Sequence, residues 1–289
     1  MWNQETEMDF FTKTLQIVTP ETLFYKTPAD GYVAYYPKSY RGDKETIQSR
    51  NAYIGSYTEK WVKDLLTPIA KKNGLCAVNG VVSEEIELTR SSSADVALCK
   101  TDDISQKPQN ILAIFEIKMS VVWNWKYKLE NGRTTLECIG DYQSHTGTPG
   151  LLRSDSMLKA IGKSVGIRTA SISSANIPIV VIGNTPIQKS YYKKVDMLKK
   201  LGMIQGFWSL NPNPTSGTGN IDRTQGNGFL RVDNREELSR LISDLLHNKL
   251  EFFASMQKRD NLGKIIEIAN SESTYEGKAT KFLELLREV

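Results

Sequence analysis

The chain has 289 residues, 39% apolar and 24% charged, a composition able to bury the core of one large domain with appended lobes. Its 37 Lys and Arg against 33 Asp and Glu leave a net charge of +4 and a pI near 8.7, which permits nucleic acid as a partner without requiring it. Three cysteines (Cys76, Cys99 and Cys138) with no Cys-x-x-Cys argue against a disulfide framework or a zinc cluster, and no apolar run is long enough to span a membrane.

The N-terminus, MWNQETEMDFFTK, shows no signal peptide, so a cytoplasmic protein is expected. Residues 1–50 mix aromatic and basic groups in turn-rich sequence and read as an arm or lobe with short strands, able to contact DNA. Residues 56–73 read as a helix with Val62, Leu65, Leu66 and Ile69 on one face. Ser56 and Glu59 match a capping box, Lys71, Lys72 and Gly74 suit its end, and Pro68 should kink or shorten it. Residues 75–82 are strand-like, although Asn79-Gly80 also suits a hairpin turn. Strands follow at 94–100 and 111–118, separated by the polar turn 101–110. ILAIFEIK, apolar on both faces, reads as a buried strand.

A long irregular segment is expected from 120 to 153. A helix follows at 154–166, capped by Asp155 or Ser156 and ended by Gly166. Residues 177–182 form a buried strand, 188–201 a Lys-rich helix, 206–210 a strand, 211–228 an exposed loop, and 235–257 and 274–288 amphipathic helices. The order is helix, three strands, helix, strand, with additions at both ends: an α/β core with a mixed sheet.

Within this order, Asp95 and Glu116-Ile117-Lys118 stand out. Glu116 and Lys118 are two apart on a strand and share a face. An acid and a base ending an apolar strand are costly to bury unless paired or bound to a metal. Pairing Lys100 with Ile111 sets Asp95 opposite Glu116, with Cβ atoms about 4.5–5.5 Å apart. Carboxylates that close repel unless a cation lies between them. They suit Mg²⁺, whose oxygen ligands lie at about 2.0–2.1 Å. Asp95 and Glu116 would hold the metal with the carbonyl of Ile117, and Lys118 would orient or deprotonate an attacking water. Glu-x-Lys alone says little, because Glu276-Gly277-Lys278 repeats it without an apolar strand before it. The alternative is an ion pair at a strand end facing solvent.

This arrangement resembles the PD-(D/E)xK nuclease superfamily, and among its members the type II restriction endonucleases, over about residues 56–185. The motif falls on Asp95, Glu116 and Lys118, with Ala94 where the motif name has proline. Family members often add a glutamate from the leading helix, and Glu59 fits that position. The resemblance implies a restriction-endonuclease-like core at 51–185, Mg²⁺ dependence and cleavage of double-stranded DNA in a prokaryotic cytoplasm. It also implies a homodimer and a companion DNA methyltransferase protecting the host's sites. The remaining length, at 1–50, 120–153 and 186–289, would supply sequence recognition or dimerisation. Two rival readings are another nuclease of this superfamily (a repair or nicking enzyme, or a heterodimer subunit) and a DNA-binding module without catalysis.

Further candidates are contacts to DNA. Lys126 and Lys128 alternate with aromatics after the Glu-x-Lys strand, a pattern useful against a sugar-phosphate backbone or, more blandly, a strand with its aromatics packed inward. Lys159 and Lys163 lie four apart on the polar face of the helix at 154–166, and Arg153 precedes that helix's N-terminus, where a phosphate could sit. Asn220, Arg223 and Gln225 in the 211–228 loop have side chains suited to base edges. His145 and His247 are the only histidines, which disfavours an HNH nuclease. No Walker A loop is present.

Overall fold

Two stretches of apolar sequence form the centre of the molecule: Ala94–Cys99 (β4) and Ile111–Ile117 (β5). With Cys76–Val81 (β3), Ile179–Gly183 (β8), Gly206–Ser209 (β9) and Phe229–Arg231 (β10) they make a six-stranded sheet in the order β10-β9-β8-β5-β4-β3. Strands β3, β4 and β5 pair antiparallel, and β8, β9 and β10 extend the sheet in parallel from β5. The computed structural model describes residues 1–130, 133–215, 217, 220–247 and 259–287. They fall into two compact units, Met1–Asn248 and Lys249–Val289.

The sheet has helices on both faces, because β5 is apolar on both. Phe115 and Ile117 join a cluster with Val62 and Leu66 of helix α2 (Gln48–Lys72), Phe10 and Phe11 of α1 (Gln4–Thr14), and Leu238 and Ile242 of α5 (Arg235–His247). Ile114 faces the other way, toward Ile167 of α3 (Ser154–Ala170). Further along that face, Met157 and Ala160 of α3 and Val195 of α4 (Tyr192–Lys200) cover Val181, Phe207 and Phe229. The α/β class with a mixed sheet is therefore as expected.

A second, four-stranded antiparallel sheet was not expected in this form. Tyr25–Thr27 (β1) and Gly31–Val33 (β2) pair with Asn124–Glu130 (β6) and Arg133–Gly140 (β7), in the order β1-β2-β6-β7. Much of the segment 120–153, expected to be irregular, is thus two paired strands, and the short strands expected within residues 1–50 are joined to them. The buried carboxylate of Glu7 ties α1 to the same place. It accepts from the indole N–H groups of Trp2 and Trp125 at 3.2 and 2.9 Å, and from the backbone N–H of Val122 and Trp123 at 2.8 and 2.9 Å.

Several local expectations are corrected. Helix α2 begins at Gln48, not Ser56, so Ser56 and Glu59 are internal and form no capping box. Ile54 and Thr58 extend its buried stripe backward, and Gly55 within the helix hid that continuation. The helix also runs through Pro68 to Lys72. Asn79-Gly80 is no turn: Asn79 pairs with Val96 and Val81 with Ala94, with Gly80 at φ +66° between them. Helix α3 continues past Gly166 to Ala170 and has no side-chain cap at its start. The helix expected at 235–257 is described to His247, and residues 248–257 lie outside the described residues.

In the second unit, Arg259–Ala269 (α6), which was not anticipated, packs on Tyr275–Arg287 (α7). No helix among the described residues is long and apolar enough to cross a membrane.

Candidate functional site

The pairing of β4 with β5 sets the geometry of the site. Val96 faces Phe115, Ala97 faces Ile114 and Leu98 faces Ala113, which carries Asp95 to the level of Glu116 as expected. The hinge differs from the expected one. A bulge at Leu98/Cys99 brings Cys99, rather than Lys100, opposite Ile111. Asp95 and Glu116 then extend toward the face occupied by α3, like Ala97 and Ile114 beside them. Lys118 lies one residue beyond β5, its N–H donating to the carbonyl of Ile182 at 2.7 Å, so it keeps its place beside β8.

Two ammonium groups meet these two carboxylates. Lys118 Nζ lies 2.5 Å from Glu116 Oε1 and 3.7 Å from Asp95 Oδ2, and it donates to the carbonyl of Ile117 at 3.1 Å. Lys163, projecting from α3, lies 2.6 Å from Glu116 Oε2 and 3.2 Å from Asp95 Oδ1. It also donates to the carbonyl of Ser93 at 2.7 Å. Asp95 Oδ2 accepts the backbone N–H of Ile117 at 2.7 Å. Glu116 Oε2 is buried without an aligned hydrogen bond, so its contact with Lys163 is chiefly electrostatic.

Burial raises the pKa of Glu116, and the charge of Asp95 raises it further against the pull of both lysines. Burial works against the charge of Lys163, but Glu116 and Asp95 outweigh it and hold the ammonium above its ordinary range. Glu59, half-buried on α2, feels the same charges. Burial first, and Asp95 second, push its carboxyl up to about 7.

The site opens into a cleft of about 630 Å³. Glu59, Asp95, Ile117 and Lys118 line it, with Arg153 and Lys159 at the start of α3. Arg153 and Lys159 both lie near Asp155, at 3.7 and 3.1 Å, and the Lys159 side chain is 71% exposed. Tyr25, Tyr35, Tyr36 and Arg50 also line the cleft. Arg50 is buried, set over the rings of Tyr25 and Tyr35 and donating to the carbonyls of Leu23 and Ala34. His145 stacks on Tyr35 at 4.0 Å, and burial lowers its pKa to about 4, so it is neutral at neutral pH.

Asp95, Glu116, Ile117, Lys118 and Glu59 are thus brought together, and Arg153 and Lys159 share the cleft that all of these but Glu116 line. The other expected contacts lie elsewhere. Lys126 and Lys128 are on β6 of the second sheet, with Lys128 paired to Glu137 at 2.9 Å and Trp125 buried on the same strand. Asn220 accepts from the hydroxyl of Tyr142 at 2.9 Å and donates to Thr215 at 2.8 Å. Arg223 and Gln225 are exposed beside β10, three strands from β5.

Lys163 is the correction of most consequence. Expected on the polar face of its helix as a contact to DNA, it instead points to the carboxylates. Its spacing from buried Ala160 and Ile167 carried that signal. Asn184 was missed altogether. Fully buried, it donates to the carbonyl of Ser120 at 2.7 Å and accepts that residue's N–H at 3.1 Å, fixing the chain just after Lys118.

Among the described residues no group of three Asp, Glu, His or Cys side chains is placed to hold a metal ion. Two carboxylates and one carbonyl, completed by water and a substrate phosphate, are nevertheless an ordinary set for Mg²⁺. Comparison with protein-family models, with curated proteins and with solved structures finds no match to this chain.

Proposed function

We propose that this protein is a Mg²⁺-dependent endonuclease hydrolysing phosphodiester bonds of double-stranded DNA at a specific site, in the manner of a type II restriction enzyme of the PD-(D/E)xK kind. One observation carries the reading. Asp95 Oδ2, Glu116 Oε1 and the carbonyl of Ile117, the three oxygens expected to bind metal, all surround one cation, the ammonium of Lys118. A set of hard oxygens gathered round a single positive charge fits Mg²⁺. The order of elements supports it too: α2, the antiparallel β3-β4-β5, α3, then β8 parallel to β5.

In this reading Asp95, Glu116 and the Ile117 carbonyl hold the ion, which when bound supplies charge neutralisation at the phosphate and acidifies a water. Lys118 orients the attacking water and offsets charge at the phosphorus. Glu59, titrating near neutral pH, accepts a proton from that water or adds a ligand oxygen. Arg153 and Lys159 receive the flanking phosphates. A homodimer reading a near-palindromic site, and a companion methyltransferase, belong to the same proposal.

A second reading also has an observation in its favour. Asp95 and Glu116 already face two ammonium groups, as a structural ion-pair cluster in a DNA-binding module would. Incubation of the pure protein with long duplex DNA, with and without Mg²⁺, separates the two. Discrete Mg²⁺-dependent fragments support the restriction-type enzyme, whereas a smear or nicked circles indicate another nuclease. Binding without cleavage, unaltered by Glu116→Ala or Lys118→Ala, would leave the second reading standing.

A further inference from the structure

Lys163 and Lys118 are not equivalent, although each touches both carboxylates. They take opposite oxygens. Lys118 faces Glu116 Oε1 and Asp95 Oδ2 and lines the cleft. Lys163 faces Glu116 Oε2 and Asp95 Oδ1, and like Glu116 itself it lies behind the residues that line the cleft. It comes from the middle of α3, between buried Ala160 and Ser164. A third contact, to the carbonyl of Ser93, fixes the ammonium against the backbone leading into β4.

We propose that Lys163 is a positioning residue for the cation site. It clamps the far oxygens of Asp95 and Glu116 so that their near oxygens and the Ile117 carbonyl stay converged when Lys118 moves aside. This rests on the nuclease reading. The physical argument is one of charge and orientation. Two carboxylates brought together repel, and without a cation behind them their rotamers would diverge. The fixed charge of Lys163 suppresses that divergence in the metal-free protein. The same charge opposes a divalent ion at the front. By like-charge repulsion Lys163 therefore weakens cation affinity, while its contacts to the far carboxylate oxygens hold the near ones in place. Lys118 differs because its ammonium occupies the place the ion would take, and so it must yield.

This division of labour makes the two measurable quantities move in opposite directions. The test is Mn²⁺ binding to the full chain without DNA, followed by electron paramagnetic resonance, together with Mg²⁺-dependent cleavage of plasmid at saturating ion. Lys163→Met keeps the stem and removes the charge. It is expected to bind Mn²⁺ about tenfold more tightly and to cleave about 10- to 100-fold more slowly. Lys163→Arg, which keeps the charge, should hold wild-type Mn²⁺ affinity and recover most of the rate.

Affinity and rate both unchanged in Lys163→Met, or both falling together as loss of fold would cause, overturn the assignment. Should the Met variant not fold, the Arg variant decides: tighter Mn²⁺ binding there overturns it, and unaltered affinity supports it. Wild-type protein that binds Mn²⁺ but cuts no DNA overturns the nuclease reading alone, since the clamp is still read from the affinity shift. Wild-type protein that binds no Mn²⁺ overturns both.

Discussion

Glu7 and Glu116 are both buried glutamates in a chain where such residues are rare, and they are satisfied in opposite ways. Glu7 accepts four N–H groups, with no cation among the contacts at its oxygens. Glu116 faces two ammonium groups, and one of its oxygens lacks an aligned hydrogen bond. Neutral donors in fixed positions make an anchor, because each N–H belongs to a rigid backbone or indole. An ammonium on a flexible stem at the cleft, as Lys118 has, suits the proposed exchange of one cation for another. Burial alone therefore does not mark function. What distinguishes the two is whether the partners can leave.

The largest effect should come from breaking the Glu116 side. Glu116→Ala or Lys118→Ala is expected to slow Mg²⁺-dependent cleavage by about 10²–10³-fold with far-ultraviolet circular dichroism unchanged. Equal loss of fold and activity would erase the difference between Glu116 and Glu7. On the other side, Glu7→Gln should cost stability and spare catalysis. Its amide nitrogen would confront two N–H donors that now have an oxygen, at about 1–3 kcal/mol for each orphaned group. Urea denaturation is expected to show a loss of about 2–6 kcal/mol, with cleavage per folded molecule near wild type.

Acidity sharpens the comparison further. Burial pushes the Glu7 carboxyl up to about 7, against the pull of its four donors, and Glu59 reaches about 7 through burial and the charge of Asp95. An acid whose folded pKa is raised holds a proton that the unfolded chain has released. The contribution of Glu7 and Glu59 to stability should therefore be largest below about 4.5 and fall as pH rises toward 7, measured as the difference in thermal unfolding between the wild type and Glu7→Gln or Glu59→Gln variants in the presence of a chelator. Glu59→Gln should flatten part of that fall. In the cleavage assay it should lower the rate by about tenfold and remove the rise in activity through pH 7. The smallest effect belongs to Lys159, a largely exposed cation already near Asp155. Lys159→Ala is expected to weaken DNA binding by about two- to fivefold at low salt and by less at high salt, read by fluorescence anisotropy.

Sequence order alone determined a good deal. Apolar runs at 94–100 and 111–118 with a polar turn between them specify an antiparallel pair, and period two puts Glu116 and Lys118 on one face. That is enough to bring Asp95, Glu116 and Lys118 together, even though the bulge at Leu98/Cys99 displaces the expected hinge. The repeated triplet Glu276-Gly277-Lys278 shows the limit of such reading. It begins helix α7, where residues two apart diverge, with Glu276 exposed. Motif letters acquire meaning only from the element that carries them.

What the tertiary structure decided is what non-local partners decide. The strands β6 and β7 exist because β1 and β2, about a hundred residues earlier, supply an edge, and because Glu7 fastens the turn before them. Asn184 fixes the chain after Lys118 across 64 residues. Lys163 looked like a surface lysine because helical spacing reports which face is polar, not what that face meets. On α3 it meets two carboxylates, carried by β4 and β5 from positions 68 and 47 residues earlier in sequence. Local pattern is written in neighbouring residues, whereas the charge environment of a site is a sum over groups that only folding makes neighbours.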